Sequence, residues 1–123
     1  MTSVLVVDGA NVIGSRPDGW WKDRGGAARR LHERLMVADL PHDEIVLVLE
    51  GAAKGGVKAG RDGHVRVVHA PRDGDSEIER VTSAAVESGA QVTVVTADRF
   101  LQSRVQGIGA MAMSPSWLLG QIG

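Results

Sequence analysis

The stretch Val4–Arg16, VLVVDGANVIGSR, runs four aliphatic residues straight into an aspartate, a glycine and, three positions after the acid, an asparagine. A short run rich in β-branched residues, with no polar residue alternating through it, is the pattern of a strand covered on both faces. Such strands belong to parallel sheets. Asp8 then marks the carboxyl end of the first strand, and the rest of the chain must supply its partners.

Ile45–Leu49 repeats the pattern and ends in Glu50-Gly51. Val65–His69 reads as a third strand, Gln91–Thr96 as a fourth that ends in Ala97-Asp98, and Ala110–Met113 as a weaker fifth. Helical patterns lie between them. Residues 24–38 place Ala28, Leu31, Leu35 and Ala38 at spacings of three and four, with Arg29, Arg30, Glu33 and Arg34 among them, and Pro41 closes the segment. Asp75 or Ser76 can cap a helix to about Glu87, with Ile78, Val81 and Ala85 on one face and Gly89 as its stop. Phe100–Val105 reads as a short helix, as does a last segment opened by Ser114-Pro115 and reaching about Gln121. Gly51–Gly63, polar and glycine-rich with Lys54, Lys58 and Arg61, reads as a mobile loop. Strands alternating with helices imply an α/β fold, a parallel sheet with helices on both faces. No repeat or linker interrupts the pattern, so one domain over residues 1–123 is expected.

Bulk composition narrows the function classes. Hydrophobic residues make up 43% of the chain but aromatic residues only 3%, so aliphatic side chains must build the core. The absence of cysteine removes disulfides and thiolate metal sites, and fits a cytoplasmic location. The formal net charge is −1, so attraction to phosphates must come from local patches. The first apolar run ends at Val7, too short for a signal peptide or a membrane span, and no membrane association is expected.

The acids fall in one place. Asp8 follows the first strand, Glu50 the second, Asp75 the third and Asp98 the fourth. In a parallel sheet these positions share one edge, where ligands of such folds bind. Crowded carboxylates raise one another's pKa unless a cation neutralises them, and an all-oxygen set suits Mg2+ or Mn2+. Ions of this kind activate water and stabilise charge on a phosphodiester. Asn11 can orient a carboxylate or a water, and Glu79, one turn after Asp75, can join the shell. Any one of these acids is as readily a helix cap or a turn residue; three apolar runs each ending in an acid are harder to dismiss.

Competing motifs fail. Gly9–Gly14 has phosphate-loop spacing, but Ser15 stands where lysine is needed. Gly107-Ile108-Gly109 lacks a third glycine and a strong preceding strand. An aspartyl-nucleophile phosphatase wants an acid two residues after the first, where this chain has Ala10. His32, His42, His64 and His69 show no metal-ligand spacing.

The segments VDGANVIG (Val7–Gly14), EG (Glu50-Gly51), GDSEIE (Gly74–Glu79) and VTADR (Val95–Arg99) together resemble the NYN domains of the YacP-like branch, PIN-like metal-dependent ribonucleases. The resemblance runs over nearly the whole chain. It implies a Rossmann-like three-layer sandwich with a five-stranded parallel sheet of order 3-2-1-4-5, one PIN-like domain, and an acidic pocket that cleaves RNA. Asp8, Asn11, Asp75 and Asp98 match its catalytic positions; Asp8, Asp75, Asp98 and Glu50 would hold Mg2+ or Mn2+. Two positions depart from the family's habit: Glu50 stands where aspartate is common, and Asp75-Ser76 where paired acids are common. Under this strand order, strands one and four are neighbours and Asp8 faces Asp98 across the switch point.

Substrate contacts are expected from Arg16, Trp20, Trp21 and Lys22, because cations beside flat rings suit phosphates and stacked bases. Lys54 and Lys58 on the glycine-rich loop, and Arg99 beside Asp98, complete the set. A tryptophan ring serves equally as an anchor onto the core or as a contact between two copies in a homodimer. The expected activity is endoribonuclease cleavage of single-stranded or structured RNA. The rivals are an RNA-binding module without catalysis and a phosphohydrolase acting on small nucleotides.

Overall fold

Strand β1 (Ser3–Asp8) lies at the centre of the sheet, paired in parallel with β2 (Glu44–Leu49) on one side and β5 (Gln91–Val95) on the other. In this computed structural model, which describes residues 1–123, β4 (Val65–His69) extends the sheet beyond β2, and β6 (Met111–Met113) extends it beyond β5, both in parallel. The order is β3-β4-β2-β1-β5-β6. The five parallel strands therefore follow the order 3-2-1-4-5 expected from the resemblance. The sixth strand, β3 (Gly60–Asp62), is an antiparallel addition at the edge.

That addition corrects the reading of Gly51–Gly63 as a mobile loop. Gly51–Gly56 forms a 3-10 turn, and Gly56 lies so close to the backbone of Gly25 that a Cβ there would overlap the Gly25 carbonyl. β3 follows, and Arg61 within it pairs with Glu44 at 2.6 Å. Glu44 opens β2, so Arg61 points to the end of the sheet opposite the acids.

Helices cover both faces. Leu5, Val7, Ile45, Leu47, Leu49 and Val95 pack with Val12 of α1 (Gly9–Gly14), Leu31 and Leu35 of α2 (Arg24–Val37), and Leu118 of α5 (Pro115–Ile122). Val4, Val6, Val46, Val48, Val92 and Val94 pack with Ile78 and Val81 of α3 (Gly74–Glu87) and with Leu101 and Val105 of α4 (Arg99–Ile108). Successive side chains of one strand thus enter two cores, which is why the strands read as unbroken apolar runs. No helix is long and apolar enough to cross a membrane.

Two details decide the site. The chain leaves β4, passes through α3 and crosses to β5 on the far side of β1, so strand order reverses between β1 and β5. The helix after β1, α1, is absent from the sequence reading, and it follows Asp8 without a loop. Gly9 makes this turn possible. A Cβ there would stand 2.6 Å from the Val48 carbonyl oxygen and 2.8 Å from Leu49 Cδ2.

Candidate active site

Asp8 closes β1 and is almost fully buried, at 3% exposure. Its Oδ2 accepts from the Thr96 hydroxyl at 2.8 Å and from Asn11 Nδ2 at 2.9 Å, and its Oδ1 accepts the Asn11 amide at 3.3 Å. Burial pushes its carboxyl above the usual range, a nearby Glu50 adds to that, and the bonds from Thr96 and Asn11 oppose it.

Thr96 links this acid to the next. The same hydroxyl that donates to Asp8 accepts the Asp98 amide at 3.2 Å. Asp98 caps α4, its Oδ1 taking the amides of Phe100 at 2.9 Å and Leu101 at 3.1 Å. Its second oxygen takes none of these capping amides. Asn11 reaches across the same gap, with Oδ1 accepting the Ala97 amide at 3.2 Å while Nδ2 holds Asp8. Both ends of the amide are engaged within the protein, so Asn11 is a strut that positions a carboxylate.

Asp75 completes the group from α3. Asp73 is the cap of that helix, accepting the Ser76 amide at 2.8 Å and the Ser76 hydroxyl at 3.2 Å. This corrects the expectation that Asp75 or Ser76 takes that place, and it leaves the Asp75 carboxylate, two positions after the cap, free to face Asp98. Partial burial and the negative charges of Asp98 and Asp8 push its pKa to about 6, and a hydrogen bond to Asp98 favours the protonated form. Glu50 sits across from the same helix, its Oε2 accepting the Gly74 amide at 3.0 Å. Glu79 does not join: it pairs with Arg104 at 3.1 Å.

Asp8, Asp75, Asp98 and Glu50 are therefore brought to one edge, all with oxygen donors. No three of them stand as a ready-made chelate. Their lone pairs suit a hard cation, and such a cation relieves the crowding of negative charge around Asp75. Burial and repulsion together have a testable cost at Asp75. The folded protein disfavours the ionised form of Asp75, so its penalty grows as pH rises from about 4 to 6 and is fully present above 6. Asp75→Asn should raise the melting temperature by a few degrees at pH 8 in EDTA, about 1 kcal/mol after solvent screening, and leave it unchanged at pH 4. Equal melting temperatures at pH 8 would show that neither burial nor the neighbouring acids penalise the ionised form of Asp75.

The expected substrate residues divide. Trp20 is half-buried, packs edge-on against Trp21 at 5.8 Å, and carries the Arg24 guanidinium 5.4 Å above its ring. Trp21 is 53% exposed. Lys22, Lys58 and Arg99 are exposed and Arg16 is half-buried. Lys54 is turned inward, its ammonium donating to the Ala70 carbonyl at 3.1 Å, so it braces the Gly51–Gly56 turn.

Two residues escaped the sequence reading. Thr96 lies within the quoted VTADR, but its bridging role needs Asp8, 88 positions away in sequence. Phe100, the chain's one phenylalanine, is 82% exposed two residues after Asp98. A lone aromatic at a helix start reads as core until its exposure is known.

The family model for the YacP-like NYN domain matches residues 5–123. No curated protein matches the chain. Among solved structures, the crystal structure of Rae1 (YacP) from Bacillus subtilis is similar at 24% identity and a TM-score of 0.77, over 98% of this chain and 74% of that one. A mutant form of the same protein matches at 23% identity and a TM-score of 0.77, over 98% of this chain and 75% of that one. At these identities the likeness concerns the fold, and it agrees with the strand order described above. With that match spanning almost its full length, the chain belongs to the YacP-like NYN domain family.

Proposed function

We propose that this protein is a metal-dependent endoribonuclease, hydrolysing RNA phosphodiester bonds at the acidic edge between β1 and β5. The observation that carries the reading is the convergence of Asp8, Asp75 and Asp98, from three separate elements, at the point where strand order reverses. The ribonuclease character of NYN domains supports the choice of RNA.

Asp8, Asp75 and Asp98 would hold Mg2+ or Mn2+, with Glu50 assisting. When bound, the cation supplies a water of lowered pKa and shields the charge that builds on the phosphate. The protein's own part is positioning. Asn11 and Thr96 fix the Asp8 carboxylate, and Thr96 carries that placement to Asp98. Arg99, beside Asp98, would neutralise the scissile phosphate, while Trp21 and Phe100 offer exposed ring faces to flanking bases. Lys22 adds exposed charge beside Trp21, and Lys58 is exposed as well.

Shape favours a polymer over a small nucleotide. Small-molecule sites are concave and enclosing. None of the larger clefts is lined by Asp8, Asp75 or Asp98. No larger cleft encloses the acids, which suits a passing strand better than a small nucleotide. The binding-only alternative draws on the absence of a preformed chelate among the acids.

The test is cleavage of end-labelled RNAs of varied sequence with Mn2+, with Mg2+ and with EDTA. The proposal predicts cuts that need the metal and, because water attacks, fragments without 2′,3′-cyclic phosphate ends. Protein inert on all RNAs with Mn2+, or active in EDTA, would overturn it.

A further inference from the structure

The charge of this chain is unevenly placed. Residues 16–34 carry Arg16, Lys22, Arg24, Arg29, Arg30 and Arg34 against Asp18, Asp23 and Glu33, a local excess of three positive charges in a protein whose formal net charge is −1. The fold gathers three of these cations into one place. Arg16, Arg30 and Arg34 line a narrow cleft of about 40 Å3 whose floor is Val12, Ile13, Leu31 and Leu119. Arg16 also borders an adjoining open cleft of about 360 Å3, between Ser15 and the α5 residues Ser116, Leu119 and Gly120.

None of the four ion pairs in the structure uses these arginines. Asp18 lines the same cleft without pairing to any of them, so it offsets the cluster without occupying it. Unpaired guanidinium groups gathered at an apolar-floored cleft repel one another, an arrangement that an incoming polyanion relieves.

Position identifies the polyanion. Helix α1 is six residues long and has two sides in use. Asn11 holds Asp8 at the acid edge, Val12 and Ile13 form the cleft floor, and Arg16 follows just beyond the helix. Helix α1 thus stands between the acid edge and the cleft, which runs along α2, where Arg30 and Arg34 stand one turn apart on the same face. Resting on the ribonuclease reading, the geometry points to Arg16, Arg30 and Arg34 as a phosphate track that carries single-stranded RNA away from the acidic edge. The track reads backbone charge and carries no base specificity.

The test is fluorescence anisotropy of labelled single-stranded RNA in EDTA, where cleavage plays no part, over a range of salt. Arg30→Gln with Arg34→Gln should weaken binding about tenfold or more at low salt. It should also reduce the slope of log affinity against log salt by about 1.4, for two phosphates lost. Arg30→Lys with Arg34→Lys should keep most of the slope, and single-stranded DNA should show the same losses as RNA. If the wild-type protein cuts RNA and the glutamine variant binds it with unchanged slope, the track is wrong and the ribonuclease reading stands. Wild-type protein that neither binds nor cuts RNA overturns both. Unchanged RNA binding with loss of binding to poly-glutamate reassigns the cleft to an acidic polypeptide and overturns the track.

Discussion

Asp8→Asn should reduce metal-dependent RNA cleavage by about a thousandfold, corresponding to about 4 kcal/mol of lost transition-state stabilisation, while RNA affinity in EDTA changes little. The residue is buried at 3% exposure, and its two oxygens take three donors from Asn11 and Thr96. Asparagine keeps the shape but replaces one acceptor with a donor. One of those three groups then faces another donor, at a cost of about 1–3 kcal/mol. Relief from burying a carboxylate whose pKa is raised by desolvation offsets part of it. The variant should therefore fold and melt only a few degrees lower, so lost cleavage reports on chemistry. A variant that cuts RNA near the wild-type rate would remove Asp8 from the metal site.

Gly9→Ala should lower stability by about 2–3 kcal/mol, a fall of roughly 10 °C in melting temperature. Its added Cβ would stand 2.6 Å from the Val48 carbonyl oxygen, on the strand paired in register with β1, and 2.8 Å from Leu49 Cδ2. The Leu49 methyl can rotate away. The carbonyl belongs to the sheet ladder and cannot. Either β1 or α1 must shift, and both carry site residues, Asp8 on one and Asn11 on the other. Cleavage should fall together with stability. Thermal melts of the purified variant check the first effect, and an unchanged melting temperature would show that the chain tolerates the contact.

Much of this was legible because burial leaves a plain mark. VLVVD, EIVLVLE and QVTVVTAD each show an aliphatic run buried in two cores, and each ends in an acid because the strand emerges at one edge. The acidic edge follows from that regularity with no knowledge of side-chain contacts. The elements that escaped have no such mark. Helix α1 is too short for a helical period to appear, and its Gly9, Val12 and Ile13 have low helix propensity. It forms because Asp8 caps it and Val12 packs under it. Strand β3 is Gly-Arg-Asp, exposed throughout, and the Arg61–Glu44 pair that braces it links residues 17 apart.

Local competition hid other details. The segment Asp73-Gly74-Asp75-Ser76 offers two acids for one cap, and only the fold shows that Asp73 takes it and leaves Asp75 free. Lys54 displays its charge in the sequence, but its partner is a backbone carbonyl that no residue type announces. Thr96 reads as the polar end of a strand until Asp8 and Asp98 flank it. Arg30 and Arg34 read as the solvated face of a helix, and only the approach of α1 and α5 turns that face into a cleft.

The central claim is that Asp8, Asp75 and Asp98 form one metal site. Crystals soaked in Mn2+ and measured for anomalous scattering test it directly. The account predicts a peak within coordinating distance, about 2.0–2.3 Å, of carboxylate oxygens from Asp8 and Asp98, with Asp75 drawn onto the same ion. Mn2+ found only elsewhere, or no peak between β1 and β5 at saturating Mn2+, would contradict it.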